Sequence, residues 1–476
     1  MNKFKFKFTR IIVEPEARQR LAQMQPGTSH LLMCNHINFT DPHVLFALCN
    51  RHGKQAYWIA GVEPFEKDWL TASHIRSVGC LSLDRGILDK RALQYFQQRL
   101  NEAQYPCVIF PEGEARYVSK TLTGFNTGAV MLAVAAATHR QDGQPHPALI
   151  WPVTITHQFL TCPAPALVED CTRLAADMGQ AGLSTVAGLH RLDIDALPEG
   201  LYSVLHSLAA AFVARLSSQY GVAFDANTDG QQESLENAII RLQLAIAGCL
   251  CAEHAPEITL DAATIADYGF MMNLKNKLRS LIIRKIDAPS PARLEQHQRW
   301  LKQAAEGNTR VLRRLERTLF DMGYEAVDTV PKRVARVEAH LAQMVPYVSA
   351  RVEASAQTLA RWHDQLNVTR QLKMLTLIAA DLQKADKSWQ GLDELLVKLE
   401  IAALSRFVYR GPKEVRVHVA EPIDVTATMA EQTQAGMPRK AIIRHLNEQV
   451  WQQMAHRLTT IYGQPKTNQP EPVLSD

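Results

Sequence analysis

The stretch SHLLMCNHINFTDPH, residues 29–43, sets the reading of this chain. Its first six residues are a short apolar run of the kind that forms a buried strand, and a polar loop follows at once, leading into a helix start at Asp41-Pro42. Working outward, further apolar runs appear at QAYWIAG (55–61), GCLSL (79–83), YPCVIF (105–110) and ALIWPVTI (148–155), each rich in branched or aromatic residues. Helix-compatible segments lie between several of them. That alternation predicts an α/β fold, a sheet covered by helices.

From 161 to 409 the pattern changes, and helical spacing replaces strand-like runs. Leu274, Leu278, Leu281 and Ile282 share one face; Leu312, Leu315 and Leu319 repeat the spacing, as do Leu392, Leu395, Leu396 and Leu399. Prolines punctuate it at HAPE (254–257), DAPSPAR (287–293) and TVPK (329–332). Strand text returns in EVRVHVAEPIDV, where Val415, Val417 and Val419 alternate with Arg416 and His418. An amphipathic helix with Ile442, Leu446, Val450, Met454 and Leu458 follows Pro438. A lone strand does not stand by itself, so this one is expected to join the N-terminal sheet. The organisation expected is therefore one discontinuous domain, 1–160 and 410–462, interrupted by an all-helical insertion, 161–409, with a disordered tail at 463–476.

Composition narrows the function. Hydrophobic residues are 46% and charged residues 21% of 476, which excludes disordered and collagen-like classes. The net charge of +4 is too small for a bulk nucleic-acid binder, so any anion site is local. The start, MNKFKFKFTR, lacks the apolar region of a secretory signal, and no run reaches the roughly 18 apolar residues of a membrane span. Eight cysteines without framework spacing fit a reducing cytoplasm. These readings give a cytoplasmic chain with no transmembrane helix.

Two motifs carry chemistry. In CNHINFTDPH, His36 precedes Asp41 by five positions. A carboxylate can fix an imidazole's tautomer and raise its basicity, leaving the other nitrogen to take a hydroxyl proton. The plainer reading makes Asp41 a helix N-cap with Pro42 at N1 and His36 a polar loop residue, and the two readings are compatible. In VIFPEGEAR (108–116) a strand runs into a tight turn that puts Glu112 at the carboxyl edge of the sheet, where open α/β folds bind ligands. Gly113 permits close approach or an unusual φ. Between them, Arg85 ends SVGCLSLDRG, with Lys90 and Arg91 close behind, a placement suited to phosphate. Pro152 is expected to break the ALIWPVTI strand near its end.

In this order the elements resemble the conserved blocks of the glycerolipid acyltransferases, the lysophosphatidic acid acyltransferase-like superfamily. Asn35, His36 and Asp41 match its N-H-x4-D, Gly79 through Arg85 its second block, Phe110-Pro111-Glu112-Gly113 its F-P-E-G, and Pro152 its fourth block. Phe125, Gly128 and Ala129 match a later stretch, and VRVHVAEPIDV is similar to the closing strand, with Ala420 in a glycine's place. The resemblance covers 25–160 and 411–462. It implies a glycerol-phosphate acyltransferase-like mixed sheet and acyl transfer from acyl-CoA or acyl carrier protein to a hydroxyl of a lysophospholipid or glycerol-phosphate-type acceptor. His36 would be the general base and Asp41 its orienting partner. Glu112 and Gly113 would position the acceptor, Arg85 would hold its phosphate, and Asn35 and Arg116 complete the substrate-binding set. No metal or resident cofactor is implied. Where the family continues T-R-S after F-P-E-G, this chain has Glu114, Ala115 and Arg116. The competing class is a catalytically degenerate helical scaffold on the same fold.

Smaller signals complete the reading. Lys3, Lys5 and Lys7 alternate with Phe4, Phe6 and Phe8, a stripe that fits either peripheral contact with the inner face of a membrane or a guarded edge strand. Cys249, Cys251 and His254 lack a fourth ligand and read as core. Arg313, Arg314 and Arg317 read as solvated helix surface that an acidic acyl carrier protein would also fit.

Overall fold

The computed structural model describes residues 8–66, 69–86, 90–141, 144–182, 184–223, 234–320 and 329–463. The lysine–phenylalanine stripe up to residue 7 and the tail from 464 lie outside the described residues, as do the side chains of Phe8, Lys90, Arg91 and Arg317. The chain forms two compact units, Met1–Gln243 with Met374–Asp476, and Leu244–Lys373.

The first unit is built on a sheet whose strands are β1 (Phe8–Val13), β2 (Ser29–Cys34), β3 (Tyr57–Gly61), β4 (Cys80–Leu83), β5 (Cys107–Ile109), β8 (Ala148–Phe159), β9 (Lys413–Val419) and β10 (Ile423–Asp424); β6 (Arg140–Gln141) and β7 (Gln144–Pro145) form a separate short ribbon. The order is β1-β9-β8-β2-β5-β3-β4, with β10 beside β8. β8, β2, β5, β3 and β4 run parallel, whereas β9 is antiparallel to β8 and parallel to β1. The sheet is mixed, and helices cover both faces. The closing strand joins it, with Val153 opposite Val419 and Ile155 opposite Val417.

Strand alternation explains why these runs are apolar throughout. Leu31 and Met33 of β2 and Ile150 of β8 point into a core shared with helices Gly128–Ala137 and Arg439–Gly463, where Ile442, Leu446, Val450 and Met454 are buried. Leu32, Cys34, Trp151, Val153 and Ile155 point the other way, onto helices Pro15–Gln23 and Asp41–Arg51. A strand buried on both faces cannot show a polar alternation.

Pro152 does not end its strand. β8 continues through Phe159, and Pro152 pairs with Met33 of β2. On the other side its position falls between the stretch paired with β10, Leu149–Ile150, and the stretch paired with β9 from Val153 onward. There its carbonyl accepts the Ala420 N–H at 2.8 Å, and no ladder demands the N–H that proline lacks.

Helices Ala164–Asp177, Leu197–Gln219 and Trp389–Leu404 belong to the sheet's unit, so compactness divides the helical text within itself rather than at 160 and 409. A buried ion cluster shows why. Arg410, just before β9, donates to Asp170 at 2.6 Å, Asp393 at 3.2 Å and Glu400 at 2.5 Å, while Lys413 reaches Asp393 at 2.6 Å. Two helices are thereby tied to the start of a strand.

The second unit packs Leu294, Ala304, Leu312, Leu315, Val337, Leu341 and Val348 between helices. The turns fall where the prolines placed them. Ser290 caps the helix Pro291–Ala305 by accepting the Arg293 N–H, and helix Val330–Glu353 carries Pro331 in its first turn. His254 bonds Gln365 and Lys285 through its two ring nitrogens. The absence of a spanning stretch does not carry over from the sequence. Helices Leu197–Gln219 and Leu235–His254 are long and apolar enough to cross a bilayer by length and composition, with 44% and 50% of their apolar windows buried within the protein.

Candidate active site

β2 and β5 are neighbours, with Leu31 opposite Cys107, so the loops leaving their carboxyl ends lie side by side. They are also stitched together. Arg116 N–H donates to the His36 carbonyl at 3.0 Å, Tyr117 N–H to the Ile37 carbonyl at 2.6 Å, and His36 N–H to Glu112 Oε1 at 2.9 Å. The histidine and F-P-E-G motifs therefore form one structure at the carboxyl edge of the sheet, where side chains from different strands converge.

His36 Nδ1 lies 3.1 Å from Asp41 Oδ2, and the ring stacks on Phe110 at 4.4 Å. The imidazole is 15% exposed, whereas the carboxylate is fully buried. Asp41 is not the N-cap of its helix. Its carboxylate turns back over the loop, accepting the Asn38 N–H at 2.7 Å, while Asn38 Oδ1 takes the Thr40 N–H at 2.8 Å. The other carboxylate oxygen, Oδ1, is 2.9 Å from His157 Nε2, and His157 Nδ1 is 3.1 Å from the Tyr409 hydroxyl. Burial pushes the Asp41 carboxyl up, but the bonds from His157 and His36 outweigh it and hold the group below the ordinary carboxylate range. Asp41 is ionised at neutral pH.

The other expected residues are close by, with different duties. Asn35 turns both amide atoms onto one residue of β8, donating to the Ile155 carbonyl at 2.9 Å and accepting its N–H at 2.7 Å. The pair of bonds fixes the loop against β8. Glu112 is equally committed, its Oε2 accepting from Thr123 Oγ1 at 3.0 Å with Arg116 Nε 3.6 Å away. Burial pushes its carboxyl up, against the lowering effect of the His36 N–H and Arg116. Arg116 is buried beneath the turn. Gly113 takes φ +79°, a left-handed value that glycine adopts without strain. Its carbonyl accepts from Arg85, whose other nitrogen donates to Glu63 at 2.6 Å; Glu114 lies 3.2 Å from the same guanidinium. Gly61, at the end of β3, leaves room for this pair, since a Cβ there would come within 2.6 Å of Arg85 Nη2. Thus Asn35, Glu112 and Arg116 build the site, while His36 and Arg85 remain partly accessible.

Sequence reading missed His157 and Tyr409. One signal for His157 was present. It continues the period-two phase of Val153 and Ile155, which face helix Asp41–Arg51, so it is a histidine in the apolar phase of a strand. Tyr409 offered none.

The strand-edge histidine, its buried carboxylate and the F-P-E-G turn joined to them all fall inside the segment that matches an acyltransferase family model. Residues 14–156 match the family model described as Acyltransferase, and this segment is a domain of the glycerolipid acyltransferase family. No curated protein matches the chain.

Proposed function

We propose that the protein moves a fatty acyl group from a thioester, on coenzyme A or acyl carrier protein, to a hydroxyl of a lipid acceptor. The observation that carries this is the His36–Asp41 pair at 3.1 Å, with the imidazole partly exposed and the carboxylate buried. With Nδ1 bonded to Asp41, Nε2 is the nitrogen that takes the acceptor's hydroxyl proton. The resulting oxygen nucleophile attacks the thioester carbonyl. Collapse of the tetrahedral intermediate breaks the C–S bond, and the thiolate leaves with the proton that His36 held. Asp41 stabilises the imidazolium between those steps.

An acceptor of the lysophospholipid or glycerol-phosphate type would place its phosphate at Arg85, exchanging that anion for Glu63 and Glu114. A lipid acceptor implies work at a bilayer surface, and the reading places the protein peripherally on the cytoplasmic side. The exposed Arg313 and Arg314 suit an acyl carrier protein as donor partner.

The test is turnover of labelled acyl-CoA and acyl carrier protein thioesters with a lipid extract, the product being identified by mass spectrometry. His36→Ala should lower kcat about 10²–10⁴-fold without loss of fold. Near-wild-type turnover in the folded variant would remove His36 as base.

A further inference from the structure

We propose that His157 and Tyr409 are positioning residues that lock Asp41, and through it His36, into the single proton arrangement that leaves His36 Nε2 able to accept a proton. The inference rests on the proposed role of His36 and extends it to two residues beyond the matched family segment, which ends at residue 156.

The argument follows donors and acceptors along a buried row. The Asp41 carboxylate is an acceptor only, and it receives three groups: Asn38 N–H at 2.7 Å, His36 Nδ1 at 3.1 Å and His157 Nε2 at 2.9 Å. His157 is therefore required to carry its proton on Nε2. In the neutral ring Nδ1 is then an acceptor, and the group beside it at 3.1 Å is the Tyr409 hydroxyl. A phenol kept protonated by burial supplies the proton that this nitrogen needs. The row therefore has one direction. Tyr409 O–H donates to His157, His157 N–H donates to Asp41 Oδ1, and His36 Nδ1–H donates to Oδ2. Reversing any member leaves two donors or two acceptors face to face inside the protein.

Electrostatics point the same way. His157 and Tyr409 are buried, so a ring nitrogen and a hydroxyl placed 3.1 Å apart have to match as donor and acceptor. Among the described residues, the charged and titratable groups facing the row include Cys34 beside Asp41, Glu112 beside His36, Tyr462 at the His157 backbone, and Asp393 with Lys413 beside Tyr409, the ammonium lying 5.1 Å from the tyrosine ring. Lys413 is bonded to Asp393 at 2.6 Å, and the Tyr409 hydroxyl stands 3.1 Å from Nδ1 of His157. Tyr409 lies between helix Trp389–Leu404 and β9, so the chain after the helical region completes a site that the first 160 residues begin.

The experiment uses the full-length protein with an acyl-thioester and an acceptor found to turn over, comparing His157→Leu, His157→Gln and Tyr409→Phe with His36→Ala. His157→Leu should lower kcat about 10–100-fold with KM little changed. It should also move the acid limb of the kcat/KM profile upward, because the Asp41 carboxylate then has one donor fewer and accepts more strongly from His36. His157→Gln, whose amide can still donate to Oδ1, should recover most of kcat and return the acid limb. Tyr409→Phe should cost several-fold, and adding it to His157→Leu should cost nothing further, since both act through one carboxylate. The proposal is overturned if His36→Ala is inactive while the His157 and Tyr409 variants keep wild-type kcat and acid limb. It is equally overturned if losses in the Leu and Gln variants follow melting temperature alone with the acid limb unmoved. A fully active His36→Ala would instead overturn the reading on which it rests.

Discussion

Glu112 Oε1 accepts the backbone N–H of His36 at 2.9 Å, so the carboxylate of the turn after β5 holds the loop after β2. Its second oxygen is taken by Thr123, and Arg116 lies beside it. The group the motif offers as an acceptor-binding carboxylate is a clamp on the histidine.

Glu112→Ala should therefore act first on stability. It strands the His36 N–H and leaves the buried Arg116 without its carboxylate, a loss of about 3–5 kcal/mol by the usual cost of breaking a buried pair. Glu112→Gln keeps an acceptor for His36 and a donor for Thr123, and should be milder. The sign with pH is also defined. Burial raises this carboxyl above 4.5, so its protonated form stabilises the fold at low pH, and that contribution is lost as pH rises through the raised value. Urea unfolding between pH 4 and 8 should show this decline in the wild type and not in the Gln variant.

Arg85 is shared by Glu63, Glu114 and the Gly113 carbonyl. A phosphate must compete with two carboxylates for it. Glu63→Gln and Glu114→Gln should raise kcat/KM for a phosphorylated acceptor relative to an uncharged monoacylglycerol, whereas Arg85→Ala should lower that ratio about 10–150-fold, the loss of a charge-assisted bond. Equal effects on both acceptors would assign Arg85 to structure or to the donor.

Asp41 has the opposite linkage to Glu112. Its carboxyl is held below 3.8 by His157 and His36, despite the opposing effect of burial. Its stabilisation is present above 3.8 and is lost as pH falls through the lowered folded value. Asp41→Asn should cost about 2–4 kcal/mol near pH 7, because an amide cannot accept all three donors. The deficit should shrink as pH drops toward 3, and denaturant midpoints at the two pH values check it.

Arg410 binds Asp170, Asp393 and Glu400 away from water. Arg410→Ala should destabilise the sheet's unit by about 3–5 kcal/mol, leaving three buried carboxylates short of a partner. Arg410→Lys should recover only part, since one ammonium cannot reproduce the fork. Thermal melts of both variants test this.

The apolar runs at 29–34, 55–61, 79–83 and 105–110 supply neighbouring strands, and Val415, Val417 and Val419 close the sheet from the far end of the chain. Those features were legible because central strands buried on both faces have to be short and apolar throughout, while the closing strand keeps the period of two in Val415, Val417 and Val419. The approach of His36 and Asp41 was legible as well, since five residues across a strand-to-helix turn leave few ways to hold the two side chains apart. What the sequence could not determine was where each polar side chain pointed. Asn35, Glu112 and Arg116 sit in the right motifs, yet they turn inward: Asn35 and Glu112 find backbone groups of neighbouring segments, and Arg116 lies beside the Glu112 carboxylate. His157 and Tyr409 reach Asp41 only through the folded chain, one from the end of β8 and the other after the helical region. Periodicity records which positions are buried. The partner a buried donor finds is set by distances between segments far apart in sequence, and only the tertiary structure decided those.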